Sequence, residues 1–223
     1  MPADRRQFLA RSVAGAALAG SAACTLGAAA HAGTASRSLG LGLIGCGGRG
    51  THVAQIFGRQ DGVRVEYVCD VDEERLKKAQ STFGLDSSRA VADLRQVLAD
   101  DRVDAVLVAT PNHWHAPASI LACDADKHVY VEKPCSHNLR EGRLRVDAAR
   151  RNDRLVQHGT QVRSTSTIQT AVDLLRDGRI GDVLVCRAWN IQRRSSIGHA
   201  EPSDPPARFD YDAWVGPAPM VPF

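Results

Sequence analysis

No two of the six cysteines stand at C-x-x-C spacing; they fall at positions 24, 46, 69, 123, 135 and 186. That removes a zinc ribbon and a thioredoxin-type motif. Scattered through apolar segments, they read as small buried thiols and not as a disulfide framework. An excess of one charge is missing too: 28 Lys and Arg face 25 Asp and Glu, for a net charge of +3. The first 32 residues hold Arg5, Arg6 and Arg11 against Asp4 alone, so the remainder is close to neutral. A surface so balanced makes no electrostatic case for nucleic acid or for a membrane surface. Strongly apolar runs of about 20 residues are absent, which argues against a stable transmembrane span. What is present is ordinary: 223 residues, 43% hydrophobic, 24% charged, with a mean hydropathy of −0.23. Disorder, collagen and coiled coil are thereby excluded. The length admits one large domain, or one domain and part of a second.

Met1 to Ala32 reads as an address. Asp4-Arg5-Arg6-Gln7-Phe8-Leu9 places a twin arginine before Phe-Leu. A weakly hydrophobic Ala/Gly run from Ser12 to Ala30 follows, then the A-x-A site Ala30-His31-Ala32. Cys24 makes a poor lipoprotein site, because no Leu-like residue stands three before it. The segment resembles a Tat signal, although Asp4 and Ala10 depart from the usual pattern. The expectation is engagement with the Tat translocase, cleavage after Ala32 and a periplasmic or otherwise exported protein. Because that route carries folded proteins, a cofactor would be bound before export and held tightly.

The body alternates the periods of strand and helix. Strands are predicted at 41–44, 63–69, 103–109, 128–132 and 154–158, with helices at 50–59, 72–83, 91–99, 114–125 and 138–151. Asp72 is the expected N-cap of the second helix and Gly84 its terminator. Strands separated by helical stretches mean a doubly wound parallel α/β sheet. From about Gly159 the character changes. A helix is predicted from Thr165 to Arg176 and a strand from Val183 to Trp189. A polar stretch with three prolines runs from Gln192 to Arg208, and the end at Trp214-Val215-Gly216-Pro217 is loop-like. One helix and one strand do not make a domain, since a lone strand exposes unpaired backbone. The expected reading is therefore a fragment.

Gly45-Cys46-Gly47-Gly48-Arg49-Gly50 fits G-x-G-x-x-G, directly after a strand and opening a helix. Gly45 allows the tight turn, Gly47 lets a pyrophosphate approach the backbone, and Gly50 allows close helix–strand packing. Asp70 ends the second strand 20 residues after Gly50. A carboxylate there can accept from both ribose hydroxyls and repel a 2′-phosphate, which favours NAD over NADP. Two further clusters end strands on the same edge: Thr110-Pro111-Asn112-His113-Trp114-His115 and Glu132-Lys133-Pro134. Lys133 can hydrogen-bond a substrate hydroxyl beside a cofactor; a surface lysine at a strand end fits the pattern equally. His113 and His115 have no acidic third ligand at hand, so no metal is expected. Cys135 has only His137 nearby and reads as a structural thiol.

Together these residues resemble the Gfo/Idh/MocA oxidoreductase family. The later Gly159-Thr160-Gln161 and Gly178-Arg179-Ile180-Gly181 fit it too, and Asp210 to Pro217 looks like its exported branch. After the expected signal peptide at 1–32, the resemblance implies a Rossmann NAD-binding domain at 38–158 and the start of a truncated α+β substrate domain at 159–223. It implies a nicotinamide-dependent enzyme acting on a sugar or polyol. Gly45, Cys46, Gly47, Gly48, Arg49 and Gly50 would cradle the pyrophosphate, and Asp70 would hold the ribose. Thr110, Pro111, Asn112 and His115 would line the cleft. Lys133 would contact the reacting hydroxyl, with Glu132 and Pro134 shaping its turn. Members usually supply a catalytic His from the second domain, and no residue after Gln161 matches it. Homo-oligomers are expected only of the full-length protein. Two alternatives stay open: a redox glycosidase that returns its NAD to the starting state, and a nucleotide-binding module without turnover.

Overall fold

The computed structural model describes residues 38–223, so the expected signal segment at 1–32 lies outside the described residues. Six parallel strands form one sheet: β1 (Leu39–Ile44), β2 (Val63–Cys69), β3 (Ala90–Val91), β4 (Ala105–Val108), β5 (His128–Glu132) and β6 (Val156–Gly159). Their order is β3-β2-β1-β4-β5-β6, so the chain reverses direction across the sheet between β3 and β4. The helices are α1 (Gly48–Gly58), α2 (Glu73–Phe83), α3 (Leu94–Leu98), α4 (Asn112–Asp124), α5 (Leu139–Arg151), α6 (Ser166–Arg176) and α7 (Tyr211–Val215). This is the expected doubly wound sheet. The order places a crevice at the carboxyl ends of β1 and β4, where open α/β sheets bind ligands.

The central strands are apolar on both faces because both faces are covered. On one face, Ile44, Val106, Val108 and Val131 pack with Val97 and Leu98 of α3, Ala118 and Ala122 of α4 and Ala148 of α5. On the other, Leu41, Leu43, Val68 and Leu107 pack with Val53 and Ala54 of α1 and Ala79 of α2. Small helix residues at these contacts let the helices sit close to the sheet. Asp72 caps α2 by accepting from the backbone N–H groups of Glu74 and Arg75, and Gly84 ends that helix.

Three local expectations need correction. The stretch 91–99 is not one helix. Val91 pairs with Cys69 as part of β3, and Asp93 caps a helix that begins only at Leu94. Residues 183–189 form no strand among the described residues. No described strand edge pairs with them, and Leu184 and Trp189 are 88% and 73% exposed. The end is not all loop: Asp210 caps the short helix α7 through the Ala213 N–H. Of the five described cysteines, all free, Cys46, Cys69 and Cys123 are buried, whereas Cys135 is half-buried and Cys186 exposed.

Candidate functional site

The turn between β1 and α1 shows three glycines with three different jobs. Gly45 has φ +96°, and a Cβ there would stand 2.6 Å from the Ala109 carbonyl carbon. A Cβ on Gly50 would stand 2.0 Å from the Gly45 oxygen. Both are demanded by the protein's own packing. Gly47 is not. It has φ −62°, and its Cβ would meet only the Arg75 Nη1, at 3.6 Å. The room above Gly47 is open. No side chain caps α1, and its first turn carries no acid. Its initial N–H groups are therefore free to meet an anion. The residues present fit a dinucleotide pyrophosphate.

Asp70 stands beside this turn. Its Oδ2 accepts from the Cys46 N–H at 2.6 Å and its Oδ1 from the Asp72 N–H at 2.9 Å. Each oxygen keeps a lone pair for a further donor. Burial pushes the Asp70 carboxyl above its ordinary value, against the pull of the two N–H groups and Arg75. Burial likewise pushes the Cys46 and Cys69 thiols far up, so neither is a nucleophile.

A cleft of about 1190 Å³ opens here, lined by Gly45, Gly47, Asp70, Thr110 and Pro111 among others. The Thr110 hydroxyl is buried without a hydrogen-bond partner. The cleft's charged lining is dominated by carboxylates: Asp70, Asp72, Glu74, Asp93, Asp210 and Asp212 against Arg75, Arg95 and Arg208. Each arginine already has an acid, with Arg75 3.1 Å from Asp72, Arg95 3.3 Å from Asp93 and Arg208 3.7 Å from Glu73.

Not every expected residue faces this cleft. His115 is buried, and its ring ties two loops together. Its Nδ1 lies 2.6 Å from the Pro134 oxygen and its Nε2 2.8 Å from the Thr110 oxygen. It positions the strand ends and does not line the cleft. Asn112, the first residue of α4, is exposed. Glu132 is buried at the end of β5, where Oε1 accepts from Arg49 Nε at 2.8 Å and Oε2 from Gln161 Nε2 at 2.9 Å. Arg49 is thus committed to Glu132. Lys133 and Pro134 are exposed just beyond, joined by a cis peptide bond. Gly48 is exposed, with nothing near its Cβ position. His113 and His115 diverge: His113 Nε2 lies 2.8 Å from the Trp214 oxygen. Among the described residues, no three His, Cys, Asp or Glu side chains are grouped to hold a metal ion.

Sequence reasoning missed the segment 206–223, which lines the outer side of the cleft. One signal for it was available. Four of the chain's eleven aromatic residues, Phe209, Tyr211, Trp214 and Phe223, crowd into its last fifteen positions. They form a cluster in which Tyr211 lies 5.8 Å from Trp214 and 5.2 Å from Phe223, ring centre to ring centre.

Comparison with known proteins agrees with this geometry. The family model described as an oxidoreductase family with an NAD-binding Rossmann fold, Gfo/Idh/MocA, matches residues 39–160. The chain is 32% identical over 206 residues to glycosyl hydrolase family 109 protein 2 of Shewanella sp. (strain ANA-3), covering 81% of this chain and 44% of that protein. It is 28% identical over 166 residues to myo-inositol 2-dehydrogenase of Thermotoga maritima, covering 74% and 46%. Its fold matches the WlbA dehydrogenase of Bordetella pertussis, solved with NADH and UDP-GlcNAcA, at a TM-score of 0.59 and 28% identity, over 65% of this chain and 44% of that one. The chain spans about half the length of the curated relatives it matches.

Proposed function

The chain belongs to the Gfo/Idh/MocA oxidoreductase family, and from that premise we propose that it is the nucleotide-binding part of an exported, NAD-dependent oxidoreductase acting on a sugar or polyol. One observation carries the reading. The open space at Gly47, the uncapped start of α1 and the Asp70 carboxylate lie side by side at the crevice of the sheet. In this reading the α1 N–H groups hold the pyrophosphate and Asp70 accepts from the adenosine ribose hydroxyls. The carboxylate-rich lining, with its arginines already paired, repels a 2′-phosphate and favours NAD over NADP. The nicotinamide, when bound, supplies hydride transfer. Lys133, at the end of β5, holds the substrate hydroxyl and exchanges its proton at Nζ. His115 and the Arg49–Glu132 pair fix the two strand ends that carry Thr110 and Lys133. Export is supported by Arg5-Arg6 and the Ala30-His31-Ala32 site.

A second reading is supported by the 32% identity to a protein named as a glycosyl hydrolase. There the same site oxidises a sugar transiently, the glycosidic bond is eliminated, and the product is reduced again. The test is to give the purified full-length protein, substrate domain included, NAD with panels of sugars, polyols and aryl glycosides. Net NADH from a sugar or polyol supports the dehydrogenase. Glycoside cleavage without NADH supports the glycosidase. NAD binding with neither would overturn both and leave a nucleotide-binding module.

A further inference from the structure

The segment 206–223 crosses the crevice instead of leaving it. At one end it is fastened to the turn that carries Asp70. Phe209 forms an antiparallel bridge with Asp72, Asp210 donates its N–H to the Val71 oxygen at 3.0 Å, and the Glu73 N–H donates to the Arg208 oxygen at 3.0 Å. At the other end it is fastened to the first turn of α4. Trp114 Nε1 donates to the Ala213 and Trp214 oxygens, each at 3.1 Å, and His113 Nε2 meets the Trp214 oxygen at 2.8 Å. Trp114 also sits close against the chain, since a Cβ on Gly216 would lie 2.1 Å from its ring. The two anchor points follow β2 and β4, which flank β1 in the sheet. The segment therefore spans the carboxyl end of β1, where the Gly45–Gly47 turn sits, and both contribute walls to the same cleft.

From this we infer that residues 206–223 are a strap that closes over the adenosine half of a bound adenine dinucleotide and slows its release. The inference rests on the nucleotide-binding reading above. A dinucleotide held at Asp70 and Gly47 lies between the sheet edge and the strap. Beside the charges of Arg208, Asp210 and Asp212, the surface the strap turns to it carries the rings of Phe209, Tyr211 and Trp214, which suit the face of an adenine ring. The backbone link from Asp210 to Val71 puts the strap one residue from the ribose-binding carboxylate. Motion of the strap and loss of that contact are therefore coupled. Such a strap changes how fast the ligand leaves more than how often it arrives.

Stopped-flow chase of fluorescent ethenoadenine-NAD from the full chain tests this. Trp214→Ala removes part of the aromatic wall, and Trp114→Phe removes the anchoring N–H donor together with the ring edge that meets Gly216. The expected result is dissociation about tenfold faster for Trp214→Ala and roughly threefold faster for Trp114→Phe, with association changed by less than about twofold. Circular dichroism spectra should match the parent. Binding with unchanged dissociation in both variants would overturn the strap and leave the nucleotide site intact. No binding of NAD or NADP by a folded parent chain would overturn the nucleotide reading and the strap with it.

Discussion

Residues 38–160 and residues 161–205 obey different physics. In the first stretch every strand has a neighbour and both faces of the sheet are covered, so Leu43, Leu107 and Val108 are wholly buried. In the second, apolar side chains find no cover: α6 buries nothing, and Leu184 and Ile191 are each 88% exposed. The third stretch, 206–223, returns to the sheet and buries Val215. Composition alone does not make the difference, because the second still carries apolar runs such as Val183-Leu184-Val185-Cys186. What separates them is pairing. A strand-like sequence becomes a strand only where another edge offers its N–H and C=O groups. The candidate site uses the first and third stretches and takes only Gln161 from the second.

Substitutions in the two stretches should differ in effect. The largest effect belongs to the sheet. Leu107→Ala should cost about 2–5 kcal/mol in chemical denaturation, because the fully buried side chain leaves a cavity. Gly47→Val comes next and separates ligand from fold. The structure has room for its Cβ, so the melting temperature should hold while NAD affinity falls roughly tenfold or more, about 1.4 kcal/mol. Calorimetric titration beside a thermal melt reads both; a drop in stability equal to the drop in affinity would assign Gly47 to packing. Asp70 yields a smaller, pH-dependent effect. Its carboxyl titrates above its ordinary value, so acidification should add the proton and weaken NAD binding at a higher pH than an ordinary aspartate would. Asp70→Asn should bind NAD several-fold more weakly and flatten that dependence; an unchanged pH profile in the variant would place the titration elsewhere. The smallest effect is Leu184→Ser, which should shift stability by less than about 0.5 kcal/mol. A large loss there would mean that the second stretch packs against something in solution.

The regular half of this fold was legible in the sequence because its signals are local. The glycine turn, the Asp72 cap and the run His128–Glu132 each announce their own structure, and β5 has the predicted bounds. β3 was not legible. Two residues cannot show a period, and Val91 was absorbed into a helical pattern that Asp93 actually starts. The site was half legible. Residue type and position at a strand end point to Asp70 and Thr110, both of which line the cleft. They do not reveal that His115 turns inward to two backbone oxygens, or that Arg49 is held by Glu132 across 83 positions of sequence. Those are consequences of which strands become neighbours. The strap was hidden for the same reason: its anchors at Val71 and Trp114 lie about a hundred residues or more away in the chain.

The most direct measurement is a paired titration of the purified protein with NAD and NADP, after acid release and mass identification of any nucleotide already bound. The expected result is saturable NAD binding at least about tenfold tighter than NADP, a difference of about 1.4 kcal/mol at the ribose end of the cleft. Equal or tighter NADP binding would contradict the role given to Asp70 and its carboxylate surroundings. Failure to bind either nucleotide, in a chain shown to be folded, would contradict the nucleotide site itself.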